Sequence, residues 1–342
     1  MKTILFVVAA LIVSTFTPAH AQLLLKPIAS IPVPRLKDGD FDHFAIDLAG
    51  HRLFLTAEAN GAVEVFDTHT NKLIHSITGL VEPHSILYRA DLGRMFVVDG
   101  GASEVKIYDS KSYNLVGRIK LSIDADSIAY DPKTTFLYIV NGGREAHTPY
   151  SFISVVDTSK AVKVADIKIE SNWLEALAVE HKGTRLFINE TGSNQVGVMN
   201  RNSRTIVGAW PIPADTSGNS AMKFDEANHR LFIATRKSPK FIVLDSDTGK
   251  VISSMDCVPM VDDINYDPRS KRIYLSGDKF VDIIQQQDAD HYKKIGVAVG
   301  SFRAKTAILV PELRRYYLAA PKNGASEARV LVYDVSSHGV RK

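Results

Sequence analysis

The chain has 342 residues, 45% of them apolar, and a formal net charge of +3 from 41 basic and 38 acidic side chains. This near balance, with Lys and Arg scattered along the chain, gives no support for a nucleic-acid or membrane-surface footprint. The single cysteine, Cys257, excludes an intrachain disulfide, and the sequence contains no Cys-x-x-Cys-His motif for covalent haem. A chain of this length and apolar content can bury a large core without covalent cross-links.

Residues 1–21 have the pattern of a bacterial secretory signal peptide. Lys2 supplies a positive charge, residues 4–13 form an apolar stretch, and a small-x-small cleavage site ends at Ala21. The apolar stretch is too short to span a bilayer, although a retained N-terminal anchor is the competing interpretation. We therefore predict export to the periplasm or the cell exterior, and a single mature domain over residues 22–342 with no membrane span.

From residue 44 onward, a unit of four short strands recurs seven times at a period of 40 to 49 residues. In the first unit, residues 62–67 alternate between apolar and polar as a half-buried strand does. The second strand repeats most clearly, as RLFL in the first unit and RLFI in the fourth and fifth. Strands at this period are typical of β-propeller blades.

The seventh unit contains only three predicted strands, whereas a spare strand precedes the first unit at residues 23–31. Pairing this strand with the last unit would remove the open edges that a linear array exposes. We therefore predict an all-β fold, a seven-bladed β-propeller of four-stranded blades. In this fold the N-terminal strand closes the ring by completing the last blade.

The third strand of most units ends in Asp or Asn. A short side-chain acceptor at this place bonds backbone N–H groups two residues on and fixes the turn, so we predict a structural role for these residues. The sixth unit departs from the pattern because Gln285 occupies the position. The residues concerned in the other units are Asp67, Asp109, Asp157, Asn200, Asp245 and Asp334.

Two segments carry a family resemblance. Residues 63–74 (VEVFDTHTNKLI) and 242–252 (IVLDSDTGKVI) resemble the repeat of the YVTN, or YncE-like, seven-bladed propellers. The resemblance spans residues 22–335. It implies the propeller fold and an exported protein of non-enzymatic or uncharacterised type, and it implies little about function because the repeat positions build blades.

One position of the repeat differs in chemical kind from unit to unit. It lies just before the innermost strand and recurs at intervals of 42 to 49 residues. Because innermost strands converge on the axis, these side chains should form a ring at one mouth of the central channel, which by analogy with the fold class is the usual ligand side. The ring comprises Asp42, His84, Asp126, Glu175, Ser220, Asp262 and Lys305. The flanking polar residues are His43, Glu82, Asp124, Asn219, Asp263 and Arg303.

Like charges brought so close cost free energy, and desolvation increases that cost, so something must offset them. Two interpretations need no metal. In one, the ring is a wet channel lining in which Lys305 and Arg303 pair with Asp262, Asp263 or Glu175. In the other, the ring binds a small ligand or a partner protein without catalysis.

In a third interpretation, Asp42, His84, Asp126 and Glu175 hold a divalent metal. Carboxylate oxygens with one imidazole suit Ca²⁺, Mn²⁺ or Zn²⁺. Such a metal could polarise a carbonyl or activate a water, with His43 or Asp263 as the candidate base. Against this, Lys305 places a cation close to the metal.

An insertion at residues 142–150 lengthens the third unit. Its side chains Arg144, Glu145, His147 and Tyr150 either cover the pocket or form a surface excursion, and Trp173 either walls the mouth or packs in the core.

The function expected from these patterns is binding or scaffolding by an exported, monomeric protein. It would engage a small ligand or an envelope protein at the channel mouth. A metal-assisted hydrolase, lactonase or lyase is the alternative. The sequence contains no serine-nucleophile elbow, phosphate loop or zinc-protease helix motif.

Overall fold

The computed structural model describes residues 24–335, and the predicted signal peptide lies outside this range. Seven four-stranded antiparallel sheets form a ring of blades. This arrangement confirms the predicted all-β, seven-bladed propeller. Within residues 24–335, no helix is long and apolar enough to cross a membrane.

The strands follow one another in chain order, beginning with the N-terminal strand β1 (Leu25–Pro32). Blade one contains β2 (Phe44–Asp47), β3 (Arg52–Ala57), β4 (Ala62–Asp67) and β5 (Lys72–Thr78). Blade two contains β6 (Pro83–Arg89), β7 (Arg94–Asp99), β8 (Glu104–Asp109) and β9 (Leu115–Lys120). Blade three contains β10 (Ile128–Asp131), β11 (Phe136–Gly142), β12 (Ser151–Asp157) and β13 (Val162–Ile169).

Blade four contains β14 (Leu177–Val179), β15 (Arg185–Glu190), β16 (Gln195–Asn200) and β17 (Thr205–Pro211). Blade five contains β18 (Ser217–Asp225), β19 (Arg230–Lys237), β20 (Lys240–Asp245) and β21 (Val251–Asp256). Blade six contains β22 (Asp263–Asp267), β23 (Arg272–Ser276), β24 (Phe280–Gln286) and β25 (Tyr292–Val299). Blade seven contains β26 (Ala307–Val310), β27 (Arg315–Ala320) and β28 (Arg329–Val335), completed by β1. Single 3₁₀ turns span Glu58–Asn60, Ala90–Leu92, Thr191–Ser193 and Pro311–Leu313.

The N-terminal strand closes the ring as predicted. β1 pairs antiparallel with β28 along its length, from Leu25 opposite Val335 to Pro32 opposite Arg329. Two of its apolar side chains are buried, Leu25 at 2% and Ile31 at 1% exposed. The strand therefore supplies both backbone hydrogen bonds and core packing to the last blade.

The core is divided between the blades. Seven clusters of buried apolar side chains occur, and each packs between two neighbouring blades. Between blades one and two, for example, Phe54 and Val65 pack with Ile86 and Met95. Each blade therefore buries apolar side chains against both of its neighbours.

The predicted Asp turns are confirmed in five blades. Asp67 Oδ1, for instance, accepts hydrogen bonds from the backbone N–H groups of His69 and Thr70, at 3.0 and 2.6 Å. In blade six the turn moves three residues beyond Gln285, where Asp288 accepts from the N–H groups two and three residues on. The equivalent bonds in the other blades are made by Asp109, Asp157, Asn200 and Asp245.

Replacing one buried residue of β1 should test ring closure. Ile31→Ala removes apolar volume from the cluster between blades seven and one, and should lower the free energy of unfolding by about 2 to 5 kcal/mol in urea titrations. Ile28→Ala on the same strand is the matched control, since Ile28 is 42% exposed, and should change it by less than about 0.5 kcal/mol. Equal effects of the two changes would contradict a closing role for β1.

Candidate functional site

Hydrogen bonds from a side chain of the preceding blade hold the backbone of three ring residues. In three blades, a buried polar side chain on the second strand donates a hydrogen bond to the carbonyl of the ring residue in the next blade. This bond fixes the backbone from which the ring side chain extends. The three bonds are Thr56 Oγ1 to His84 O at 2.7 Å, Asn189 Nδ2 to Ser220 O at 3.0 Å, and Ser276 Oγ to Lys305 O at 2.8 Å.

All seven ring positions line one cavity of about 170 Å³ at the channel mouth, called here the ring cavity. The geometric part of the sequence prediction, one ring of side chains on the axis, agrees with this arrangement. The remaining lining residues are His43, Glu58, Ser127, Ala176 and Arg236.

Asp42 is shared by two imidazoles. His84 Nδ1 lies 2.6 Å from Asp42 Oδ2, and His43 Nε2 lies 3.4 Å from Asp42 Oδ1. The other nitrogen of His43 lies 3.4 Å from Asp263. Burial alone would raise the pKa of Asp42, but the two imidazoles outweigh it and hold that pKa below its usual value.

Both imidazoles are held in the charged form. Burial alone would lower the pKa of His84, but Asp126 and Asp42 raise it to about 10. In the same way, Asp42 and Asp263 outweigh burial and hold the pKa of His43 well above its usual value. At neutral pH these two residues are therefore cations that donate hydrogen bonds.

A second cluster of ion pairs lies across the ring. Asp262 pairs with Lys305 Nζ at 2.9 Å and with the guanidinium of Arg236. Burial would raise the pKa of Asp262, but the two cations outweigh it and hold the pKa well below its usual value. Arg236 also reaches Glu175, with 3.5 Å between the charged atoms.

Two carboxyl groups of the ring cavity accept no hydrogen bond from the described residues. Asp126 lies 3.9 Å from His84 Nδ1, beyond hydrogen-bond distance, and Glu58 has no ion pair within residues 24–335. Burial raises the pKa of Glu58 to about 7, and it also raises the pKa of Asp126. Glu175, which accepts from Trp173 Nε1 at 2.9 Å, has its pKa raised by burial to about 8. Acids that titrate near neutral pH are typical of functional sites.

Three of the predicted site residues lie elsewhere. Asn219 is fully buried and its amide donates to Asn189 Oδ1 and to a backbone carbonyl, which fixes blade five against blade four. Arg303 pairs with Asp40 at 2.5 Å, whereas the sequence suggested Asp262, Asp263 or Glu175 as its partner. Asp263 lines the adjoining channel below the ring cavity. Ser220 lines the ring cavity, but its hydroxyl donates to the carbonyl of Val261 at 2.8 Å.

Sequence reasoning missed Glu58 and Arg236. Both follow or end a second strand, Glu58 in the 3₁₀ turn after β3 and Arg236 near the end of β19. An alignment on the innermost strands does not reach them. Because the ends of the second strands and the loops that follow them face the same mouth, scanning both for charged residues would have found Glu58 and Arg236.

The insertion of blade three builds a smaller cavity beside the ring. The guanidinium of Arg144 stacks 3.7 Å from the ring centre of Trp173. Both residues line a space of about 80 Å³ that shares Asp126 and Glu175 with the ring cavity. Of the predicted covering residues, Arg144 lines this cavity, whereas Glu145, His147 and Tyr150 do not.

Metal-ligand atoms are grouped at the ring. Two groups, each with donor atoms within 4.8 Å of one another, contain Asp42: one with His43 and Asp126, the other with Glu58 and His84. Neither includes Glu175, which the sequence-based metal set did. A protonated imidazole has no lone pair for a metal, so binding would have to displace the protons that the carboxylates hold on the two histidines.

The raised pKa of His84 makes stability depend on pH. The usual pKa of 6.5 rises to about 10 in the folded protein, so the contribution of the imidazolium is complete below about pH 6.5 and is lost as the pH rises through about 10. Wild type should therefore exceed His84→Asn in free energy of unfolding by most at low pH, and the gap should narrow towards pH 10. A gap that stays constant between about pH 6 and 10 would contradict the charged pair.

Comparisons with known proteins agree on the fold. No family model matches the chain, and no curated protein matches its sequence. A chain from Kuenenia stuttgartiensis hydrazine synthase is similar at 15% identity and a TM-score of 0.72, over 86% of this chain and 96% of that one. A chain from a crystal structure of the mitotic checkpoint complex is similar at 15% identity and a TM-score of 0.74, over 98% of this chain and 99% of that one.

Likeness at this identity shows the β-propeller fold. The YVTN or YncE-like family stays a prediction. A propeller is compatible with a binding or scaffold role, so the chemistry of the ring cavity has to carry any finer functional argument.

Proposed function

We propose that this protein binds a small polar ligand in the ring cavity and acts as a binding protein rather than a catalyst. The observation that carries the proposal is the cavity wall, in which nine of twelve residues are ionisable. Most of these charges are already paired, yet Asp126 and Glu58 accept no hydrogen bond from the described residues. These two carboxyl groups are free to accept hydrogen bonds from a ligand.

The size of the cavity limits the ligand. At about 30 Å³ for each water in the liquid, 170 Å³ corresponds to roughly six waters. Arg236, Lys305 and the two histidines supply donors beside the acceptor carboxyl groups. We infer a compact molecule with both donor and acceptor groups, such as a hydroxy acid, an amino acid or a small polyol.

The cellular setting of the proposal is the periplasm or the cell exterior, on the strength of the leader pattern in residues 1–21. An envelope protein is the alternative occupant of the channel mouth. The mitotic checkpoint complex, which contains the similar chain, is a protein assembly, and this supports a partner-binding role for the fold in general.

Removing one acceptor should weaken ligand binding. In a thermal-shift screen of hydroxy acids, amino acids and polyols, a compound that stabilises wild type should bind Asp126→Asn about tenfold or more weakly, because a hydrogen bond to a charged acceptor is lost. Asp256→Asn, at an exposed carboxylate of an outer strand, is the control and should bind as wild type does. A ligand bound equally by both variants would contradict the proposal.

A second candidate is a metal-assisted hydrolase, lactonase or lyase. The two groups of donor atoms around Asp42 favour it, because they bring carboxylate oxygens and imidazole nitrogens within 4.8 Å. In such an enzyme Glu58 or Glu175, with pKa values raised towards neutral pH, would be the proton-transfer groups.

Metal content separates the two candidates. For the metalloenzyme, purified protein should contain one equivalent of Ca, Mn or Zn, EDTA should lower the melting temperature, and His84→Ala should lose the metal. The exposed His291→Ala control should keep it. Protein that holds no metal after dialysis against each ion, and whose melting temperature is indifferent to EDTA, would contradict the second candidate.

A further inference from the structure

A second and larger cavity lies along the axis below the ring cavity. It encloses about 480 Å³, within the range of about 300 to 1,000 Å³ that small-molecule sites occupy. We call it the channel cavity. It shares a wall with the ring cavity, formed by His43, Ser127, Ala176 and Asp262.

The channel cavity ends at the opposite mouth of the propeller. Its lining there includes His181 and Glu226, which follow the ends of the innermost strands β14 and β18. The side chain of His181 is 53% exposed, so this end meets solvent. A ligand can therefore enter the channel cavity without passing the ring.

The channel wall is mixed: 13 of its 23 lining residues are apolar, and the others are polar or charged. Three residues after each ring residue, the innermost strand of each blade carries one residue of a second tier. Lys223 is the only charged member of this tier. The tier comprises Ala45, Leu87, Ala129, Ala178, Lys223, Asn265 and Ile308, and all of these except Ala45 and Leu87 line the channel cavity.

Asn265, the next member of this tier after Lys223, already has hydrogen-bond partners. Asn265 Nδ2 donates to Ala307 O at 3.2 Å, and its Oδ1 accepts from Leu309 N at 3.0 Å, so the amide joins blades six and seven. Lys223 itself makes no ion pair or hydrogen bond with the described residues. Its side chain extends into the open interior of the channel cavity.

Asp263 is the acidic group whose charge acts on Lys223, but it already has other partners. Asp263 accepts from Ala307 N at 2.8 Å and lies 3.4 Å from His43. The surrounding blades desolvate the ammonium and lower the pKa of Lys223. Lys223 is exposed to the open interior of the cavity, and a bound anion would pair with this ammonium, which has no partner among the described residues.

We propose that the channel cavity binds an amphipathic organic anion, whose acidic group pairs with Lys223 and whose apolar body packs against the channel wall. Phe44, Ile128, Met222 and Phe224 are among the apolar side chains that line it. The inference goes beyond the function proposed for the ring cavity, because it concerns a different cavity, a different entrance and a different class of ligand.

Calorimetric titration with chain-matched probes tests the charge requirement. Wild type should bind octanoate more tightly than octylammonium, which has the same apolar chain and the opposite charge. Lys223→Met keeps the apolar length of the side chain and should weaken octanoate binding about tenfold or more, while Lys223→Arg should retain it. Lys133→Met, at an exposed turn of blade three, makes the same change in net charge and should bind octanoate as wild type does.

Three outcomes would overturn the proposal: no octanoate binding by wild type at millimolar concentration, equal binding of octanoate and octylammonium, or unchanged octanoate binding by Lys223→Met. Circular dichroism and melting temperature establish that each variant is folded. Asp126→Asn should leave octanoate binding unchanged while it weakens ligands of the ring cavity. The two proposals can therefore fail independently.

Discussion

Closure of the ring is the constraint on which the rest of the structure depends. Each of the seven apolar clusters lies between two blades, so every blade needs both neighbours to bury its core. Closure also brings the starts of the innermost strands together around the axis. Ring residues that lie 42 to 49 positions apart from one blade to the next thereby line a space of about 170 Å³.

The ionisable side chains can lie this close together because most of their charges form pairs of opposite sign. Asp42 is balanced by His84 and His43, and Asp262 by Lys305 and Arg236. Asp126 and Glu58 are left over, and burial raises the pKa of each towards the neutral form. Asp126 and Glu58 are therefore the two carboxyl groups of the ring cavity that remain free to accept a hydrogen bond from a ligand.

Periodicity made most of the fold predictable from the sequence. Strands and Asp turns recur at similar spacing, so one alignment of the repeats, a single register, covers the whole chain. The spare N-terminal strand then supplies the strand that the last repeat lacks. The same register placed all seven ring residues on one cavity. It could not place Glu58 or Arg236, because they come from strand ends and loops whose lengths differ between blades. It also misplaced Asn219, whose amide bonds to blade four, and Arg303, which pairs with Asp40 outside the ring cavity.

The pairing of β1 with β28 has a consequence for how the molecule folds. Leu25 and Val335 are partners in the same sheet, although nearly the whole described chain separates them. Until the last strand has been synthesised, β1 has no partner and blade seven cannot form, so the cores on both sides of that blade remain open. The ring can therefore close only after β28 has been synthesised, and the cores on both sides of the last blade are completed only then.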